Sequence, residues 1–331
     1  MNDARVLRLV SQNPAHPWWK IAEVLGEALV GFTSPGGYDT PFGEKPLTGV
    51  KFGLYSPTDL MGALFNPMEV GDGLYEVGIT TPSATAYMAE RGIGPYDRAT
   101  SGLRAIAAYP HDDYLIFQID AKYGISTLRE LGELKPPITI VTGRLGANGE
   151  EDVLTFAIHE IMRRHGFSFA DVESWGGRII YGGPTHVGGH IVLDGDADAL
   201  FHEAQGQPMW RQIAESRPMT VLSIDEDVRR HMHETFALRP RVVPAGHGSG
   251  TPVDVPTVDF SGWLVFVRED FPEDWAYAIA QAVDQTRDQV DGLGMGSSLV
   301  LPVSQDYLFQ ETVIPLHAGA ARYAREQGVE I

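Results

Sequence analysis

The sequence predicts an α/β fold organised as two domains. Short β-rich runs alternate with segments of helical periodicity along the chain, which is the pattern of α/β proteins. A chain of 331 residues is long enough to form two hydrophobic cores. Because open α/β sheets bind ligands beyond the carboxyl ends of their strands, we expect functional residues in the loops that follow the strands.

The first part of the chain contains a strand, a helix, a long loop and several further strands. The first strand is predicted at residues 6–11. Residues 33–46 are rich in glycine and proline and predict a loop. Between them, one apolar helical face ends at Gly31 and consists of Trp18, Ile21, Leu25 and Leu29. Further strands are predicted at residues 51–55, 74–79, 103–109 and 114–119.

The rest of the chain continues this alternation. A short strand at residues 138–142 precedes the loop 143–149 and a helix at about 150–164, with Asn148 and Glu151 at capping-box spacing. The irregular stretch 174–189 is predicted to be a lid or a bent connection. Later elements are a helix end followed by a strand within 192–201, strands at 219–224 and 260–267, and helices at 270–292 and 318–327.

The charge of the chain and its lack of cysteine exclude several functions. The formal net charge of −19 argues against nucleic-acid binding, which needs basic patches. Because cysteine is absent, disulfides and thiolate chemistry are ruled out. No apolar run is long enough to predict a membrane span, and the first ten residues lack the apolar segment of a signal peptide. We therefore expect a cytoplasmic protein as the sequence stands, or a periplasmic one if a leader has been removed.

Seven short phrases, taken in order, carry a resemblance to a known family. They are residues 11–19 (SQNPAHPWW), 78–83 (GITTPS), 103–109 (LRAIAAY), 125–131 (ISTLREL), 142–149 (TGRLGANG), 243–246 (VPAG) and 314–319 (IPLHAG). In order and spacing they resemble the TAXI group of solute-binding proteins, which serve TRAP-type transporters. The first phrase has Pro14 and Pro17 where the family usually has glycines.

This resemblance implies the type II periplasmic-binding-protein fold. In that fold two α/β domains are joined by two hinge crossings, and the ligand is held in the cleft between them. The resemblance places domain I at residues 1–116 and 223–331, and domain II at residues 117–222. Ligand capture would then be a hinge closure.

The loop at residues 11–19 offers candidate ligand contacts. Asn13 and His16 could form hydrogen bonds to a carboxylate, and Trp19 could form an apolar wall. The alternative interpretation is that Trp18 belongs to the core and that His16 only caps the following helix.

The loop 143–149 is predicted to bind an anion. Its backbone N–H groups precede a helix, and Arg144 supplies a planar guanidinium suited to a carboxylate. Against this, the acidic residues 150–152 already occupy the helix start and would repel an anion. The residues predicted to hold the anion are Thr81, Ser83, Arg144, Ala147 and Asn148.

A second polar group, His202 and Glu203, follows an apolar strand end. His202 could contact the ligand, or it could act as a general base that Glu203 orients. Trp175 and Tyr181 are predicted to be further apolar walls. No histidine pair has a convincing third ligand at metal-binding spacing, so the sequence predicts neither a metal nor another cofactor.

Three functions fit these observations. The leading hypothesis is a TAXI-like solute-binding protein for a small carboxylate, with membrane transporter subunits as partners only if the chain is exported. The first alternative is a cytosolic enzyme on the same scaffold, such as a decarboxylase, with Arg144 holding the carboxylate and His202 or His16 donating a proton. The second alternative is a cytosolic ligand sensor.

Overall fold

The computed structural model describes residues 6–12, 14, 17–33, 47, 50–57, 61–291 and 301–331. Its strands are β1 (Val6–Val10), β2 (Lys51–Tyr55), β3 (Val77–Thr80), β4 (Leu103–Tyr109), β5 (Ile116–Asp120), β6 (Thr139–Thr142), β7 (Arg178–Tyr181), β8 (Ala199–His202), β9 (Met219–Val221), β10 (Pro240–Val243), β11 (Val255–Val258) and β12 (Trp263–Arg268). Its helices are α1 (Pro17–Thr33), α2 (Gly62–Gly71), α3 (Ala84–Arg91), α4 (Leu128–Leu134), α5 (Val153–Arg164), α6 (Phe169–Ser174), α7 (Thr185–Leu193), α8 (Met209–Ser216), α9 (Glu226–Phe236), α10 (Glu273–Gln285), α11 (Arg287–Asp291), α12 (Gln305–Gln310) and α13 (Ala318–Glu326). None of these described helices is both long and apolar enough to span a membrane.

The chain forms two compact units. Unit 1 consists of Met1–His111 and Ser261–Ile331, and unit 2 consists of Asp112–Phe260. The chain therefore passes from one unit to the other twice, after His111 and after Phe260. Each unit contains a five-stranded sheet with helices, which confirms the predicted α/β architecture with two crossings.

The sheet of unit 1 has the strand order β2-β1-β3-β12-β4. Strands β1, β2 and β3 are parallel, and β12 runs antiparallel between β3 and β4. The apolar strands β3 and β12 are buried along nearly their whole length, as expected for a sheet covered on both faces. The core that contains this sheet also includes Trp18 and Leu25 of α1, Ile279 of α10 and Tyr323 of α13.

Two glycines permit close packing in unit 1. A Cβ atom on Gly78 in β3 would lie 2.4 Å from Cζ of Phe266 in β12, so the phenyl ring occupies the space of a side chain. A Cβ atom on Gly319 in α13 would lie 2.0 Å from the carbonyl oxygen of Glu273 in α10. These contacts bring the two strands and the two helices closer together than a larger residue would permit.

The sheet of unit 2 has the strand order β7-β6-β8-β5-β9. Strands β6, β7 and β8 are parallel, so their carboxyl ends share one edge. Strand β5 is antiparallel to β8, and its first residue, Ile116, pairs with His202 at that same edge. Phe117 and Phe201 pack together near the middle of the sheet, with ring centroids 4.9 Å apart. Strands β10 and β11 form a separate antiparallel ribbon.

The structure differs from three local predictions. Residues 223–260 lie in unit 2 rather than with residues 1–116, because β9 pairs with β5 and the Leu115 N–H donates to the Val258 carbonyl at 3.0 Å. The stretch 174–189, predicted to be irregular, contains β7 and the beginning of α7. The helix predicted from residue 150 begins at Val153 and is capped by Asp152, whose carboxylate accepts from the Thr155 N–H. The predicted capping pair is therefore wrong.

Candidate functional site

In unit 1 the carboxyl ends of β1 and β3 are tied together by Asn66 of α2. Its side-chain Nδ2 donates to the carbonyl oxygens of Ser11 at 3.0 Å and Ile79 at 2.8 Å. The Thr80 hydroxyl donates to the Ala63 carbonyl at 3.0 Å and joins the same helix to β3. Helix α2 therefore holds the carboxyl ends of β1 and β3, the sheet edge at which a ligand is expected. Asn66 is fully buried at this edge.

Three hydroxyl groups follow β3 at the beginning of α3. The oxygens Thr81 Oγ1, Ser83 Oγ and Thr85 Oγ1 are all buried, and none has a hydrogen-bond partner among the described residues. Ser83 is 4% exposed and Thr85 is fully buried. A buried polar group without a partner costs about 1–3 kcal/mol, so three of them within five residues are a costly arrangement for an unliganded protein. They define the hydroxyl cluster of unit 1.

The backbone packs tightly against one face of this hydroxyl cluster. The Ser83 N–H donates to the Ser261 carbonyl at 3.1 Å, which fixes the start of α3 against the segment leading into β12. Gly262 has φ +90°, and a Cβ atom there would lie 2.1 Å from the Ser83 hydroxyl oxygen. Glycine is therefore required at this position by both its backbone angle and the nearby hydroxyl.

The other candidates predicted in unit 1 lie in or before α1. Asn13 and His16 are outside the described residues. Trp18 is 4% exposed and belongs to the core, as one interpretation of the sequence held. Trp19 is half-buried, and its indole N–H donates to Glu23 Oε1 at 2.7 Å within the same helix. The indole N–H of Trp19 is therefore already engaged in a hydrogen bond to the next turn of α1.

In unit 2 the guanidinium of Arg144 lies beside an acidic helix cap. Arg144 Nε is 3.4 Å from Asp152 Oδ2, and both side chains are largely buried. The Thr155 hydroxyl accepts from the Arg144 N–H at 2.9 Å and lies 3.0 Å from the Arg144 carbonyl, to which it donates. Burial raises the pKa of Asp152, while the bonds from Thr155 and the charge of Arg144 oppose that rise.

Backbone N–H groups of the predicted anion loop are used within the loop itself. The Gly146 N–H donates to the Glu150 carbonyl at 2.7 Å, and the Asn148 N–H donates to the Glu150 carboxylate at 3.0 Å. The Asn148 side chain also donates to that carboxylate, at 2.9 Å. Ala147 and Asn148 are exposed. Glu150 thus occupies the position that an anion was predicted to take.

His202, at the end of β8, joins two neighbouring loops. Its Nε2 lies 2.8 Å from the Gly183 carbonyl, and its Nδ1 accepts from the Glu203 N–H at 2.9 Å. The Thr185 hydroxyl is also 2.8 Å from Nδ1. This pattern requires the neutral ring with its proton on Nε2. Neither nitrogen can exchange a proton with a ligand unless one of these bonds breaks.

A buried carboxyl group, Asp113, holds the turn that follows His202 and Glu203. Asp113, which is 1% exposed, accepts three backbone N–H bonds at Oδ1, from Tyr114 at 2.8 Å, Ala204 at 2.9 Å and Gln205 at 3.1 Å. Burial raises the pKa of Asp113 well above its ordinary value, and the charge of Glu203 raises it further.

An aromatic and acidic cluster lies at the end of β7. Tyr181, which is 41% exposed, meets the Phe169 ring edge-on at 6.3 Å. The His159 ring stacks on the Phe169 ring at a centroid distance of 4.3 Å, and its Nδ1 is 2.6 Å from Glu151 Oε1. Trp175 precedes β7 and therefore lies at the opposite end of that strand from Tyr181.

A sequence model of the NMT1-like family matches residues 56–328, which is most of the chain. The chain belongs to the NMT1-like family. Its fold is similar to that of XAC2383 from Xanthomonas citri, solved with a bound chloride ion (TM-score 0.51, 11% identity, 97% of this chain and 99% of that one). It is also similar to the periplasmic binding protein BugD (TM-score 0.50, 10% identity, 98% and 94%). A TctC solute-binding protein from Polaromonas aligns with a TM-score of 0.48 at 14% identity, over 99% and 97% of the two chains. The chain therefore has the periplasmic-binding-protein fold.

In this NMT1-like protein the predicted site residues fall into distinct groups. Thr81 and Ser83 lie together in unit 1, whereas Arg144, His202 and Glu203 lie at the carboxyl edge of unit 2. Sequence reasoning missed Thr85, Asn66, Asp113, His159 and Glu151 as neighbours of these residues. Thr85 could have been found from the sequence, because it is the third hydroxyl residue within the five positions that directly follow β3.

Proposed function

We propose that this NMT1-like protein is a TAXI-like solute-binding protein that binds a small carboxylate at the hydroxyl cluster of unit 1. The observation that carries the proposal is the set of three buried hydroxyl oxygens without partners, Thr81 Oγ1, Ser83 Oγ and Thr85 Oγ1. A carboxylate is acceptor-only, so it would satisfy all three hydroxyl donors. The likeness in fold to the periplasmic binding protein BugD supports a binding function.

The position of the hydroxyl cluster favours an anion. It lies at the amino end of α3, where the helix dipole attracts negative charge. Several described arginines of unit 1 are engaged with acids elsewhere, including Arg8 with Glu76 and Arg104 with Glu269. Neutral donors in a water-excluded position can hold a carboxylate strongly without a cation, because hydrogen bonds to charged groups are worth about 1.5–3 kcal/mol each.

The proposal is tested by measuring carboxylate affinity in hydroxyl variants. A thermal-shift screen of small carboxylates would first identify a ligand, and calorimetry would then give its Kd. Ser83→Ala and Thr85→Val should each weaken binding about 10- to 100-fold, because each removes one charge-assisted hydrogen bond. Thr100→Val is the matched control, since Thr100 also has a buried hydroxyl without a described partner but lies beside the carboxyl end of α3.

Two outcomes would contradict this function. Unchanged affinity in both Ser83→Ala and Thr85→Val would show that the ligand binds elsewhere. An equal loss in Thr100→Val would show that any buried hydroxyl deletion in unit 1 perturbs binding through the fold. Consumption of the ligand during the assay would instead identify the protein as an enzyme. Analysis of the products formed from each ligand that binds distinguishes simple binding from catalysis.

A further inference from the structure

Asn148 and Gly149 form a dipeptide with the composition and the space that side-chain cyclisation needs. The chain has four asparagines, and Asn148 is the one followed by glycine. Both residues are exposed, and a Cβ atom built on Gly149 would have no neighbour within 4 Å. Asparagine is a thermolabile residue, and a following glycine leaves the backbone nitrogen unhindered and free to rotate toward the asparagine side chain.

Hydrogen bonds within the loop 143–149 restrain this cyclisation. The Gly149 N–H, whose nitrogen would attack, donates to the Gly146 carbonyl at 3.0 Å. The Glu150 carboxylate accepts from the Asn148 side-chain Nδ2 at 2.9 Å and from the Asn148 N–H at 3.0 Å. Asn148 and Gly149 lie at the surface, where local opening of a loop costs little free energy. The restraint is therefore partial, and each opening of the loop frees the reactive atoms.

We propose that Asn148 is a site of spontaneous deamidation and that Glu150 slows the reaction by holding the Asn148 side chain. The Gly149 nitrogen loses its proton to the solvent and bonds to Asn148 Cγ. The Cγ–Nδ2 bond breaks, and the side-chain nitrogen takes up a proton and leaves as ammonia. The product of this step is a cyclic imide, which water then opens at either of two C–N bonds while the imide nitrogen regains its proton. One opening gives aspartate, and the other gives isoaspartate, in which the main chain runs through the side-chain carbon.

Deamidation would change the charge of the loop that carries Arg144. The hydrogen bond from the Asn148 side chain is the main cause that holds the pKa of Glu150 below its ordinary value. A carboxylate at position 148 cannot donate this bond, so two negative charges would repel each other and Glu150 would leave its present position. The modification would therefore open a loop that is now closed on its own carboxylate.

Peptide mapping of the whole protein by mass spectrometry, during prolonged incubation at neutral pH, tests the proposal. The peptide that contains Asn148 should gain the mass difference between an amide and a carboxyl group, and isoaspartate should accompany aspartate. Glu150→Ala should accelerate this conversion about 2- to 10-fold, the factor that corresponds to the net contribution of one hydrogen bond. Glu150→Gln should give an intermediate rate, because its amide oxygen still accepts one bond. Gly149→Ala should slow conversion about tenfold or more, because its methyl group hinders the attacking nitrogen.

Two controls accompany this experiment. Glu173→Ala removes another exposed glutamate of unit 2 and should leave the rate unchanged. The peptide that contains Asn66 should keep its mass, because the nitrogen of Pro67 carries no proton to lose and Asn66 is fully buried.

Three results would overturn the proposal in whole or in part. If the Asn148 peptide of the folded protein kept its mass while the urea-unfolded chain was converted, the folded loop would not permit the reaction. Equal rates in the wild type and Glu150→Ala would remove Glu150 as the restraint. Aspartate without isoaspartate would indicate direct hydrolysis and rule out the cyclic intermediate. Since these measurements need no ligand, they succeed or fail independently of the carboxylate assay.

Discussion

Replacing Arg144 should destabilise unit 2, because Arg144 is the cationic neighbour of a largely buried carboxylate. Arg144→Ala leaves Asp152 without the charge that lies 3.4 Å away and opposes the rise of its pKa. Burying a carboxylate without its cationic partner costs about 1–3 kcal/mol. We therefore expect Arg144→Ala to lower the free energy of unfolding by this amount at neutral pH. Because the folded-state pKa of Asp152 is raised, the penalty acts on the ionised form. The deficit should therefore shrink as pH falls through the folded-state pKa of Asp152, which lies above its ordinary value of 3.8.

A double-mutant cycle with Asp152→Asn measures this effect by urea unfolding. Asparagine keeps the helix cap, so Asp152→Asn should change stability little, and Arg144→Ala in that background should cost well under 1 kcal/mol. Additive effects of the two substitutions would refute the ion-pair argument. If Arg144→Ala lowered ligand affinity with no change in stability, Arg144 would be a ligand anchor, as the sequence first predicted.

Three further predictions concern the framework of the two units. Gly319→Ala should lower the urea midpoint and cost about 1–3 kcal/mol, because its Cβ would lie 2.0 Å from the Glu273 carbonyl oxygen. An unchanged midpoint would contradict the close approach of α10 and α13. Burial lowers the pKa of His165, so its contribution to stability should be lost as pH falls below the unfolded value of 6.5. His165→Gln should flatten that acid-side slope, and an identical slope would rule His165 out as its source. Tyr323→Phe should cost about 1–2 kcal/mol by calorimetry, because the buried Asp284 loses a 2.7 Å hydrogen bond, and an unchanged Tm would show that this carboxylate is satisfied without it.

The sequence predicted the sheets better than the helices that connect them. Strand β2 was placed correctly, and β4 was placed at its observed bounds, because short apolar runs between turn residues carry a clear signal. Helix α2 was missed because its apolar face is interrupted by Asn66 and Pro67. Asn66 breaks the pattern for a reason that only the fold reveals, namely its two bonds to β1 and β3. Helix α9 is rich in charged residues and nevertheless carries a buried stripe, which includes Met232.

The sequence could predict candidate site residues that directly follow a strand. It could not predict those whose contacts come from loops distant in the sequence. Thr81 and Ser83 follow β3 directly, so local sequence placed them at the carboxyl edge. Asp113 and the Ala204 N–H that donates to it are ninety-one residues apart and meet only because β5 and β8 are antiparallel neighbours. The acidic helix start, recognised as an objection to an anion loop, is the feature that engages Arg144 through Asp152.

The salt dependence of ligand binding distinguishes a hydroxyl site from an arginine site, because the two respond to salt with opposite sign. The protein has a formal net charge of −19, so an anion approaching neutral donors is repelled by the rest of the surface. Added salt screens this repulsion, and carboxylate affinity at Ser83 and Thr85 should rise between about 20 and about 200 mM ionic strength. An anion anchored on a free guanidinium would lose affinity over the same range. Calorimetry in sodium chloride and sodium sulfate, at matched ionic strength, separates screening from competition by the anion of the salt. A fall in affinity of the same size in both salts would show that cationic side chains, rather than the hydroxyl cluster, hold the carboxylate.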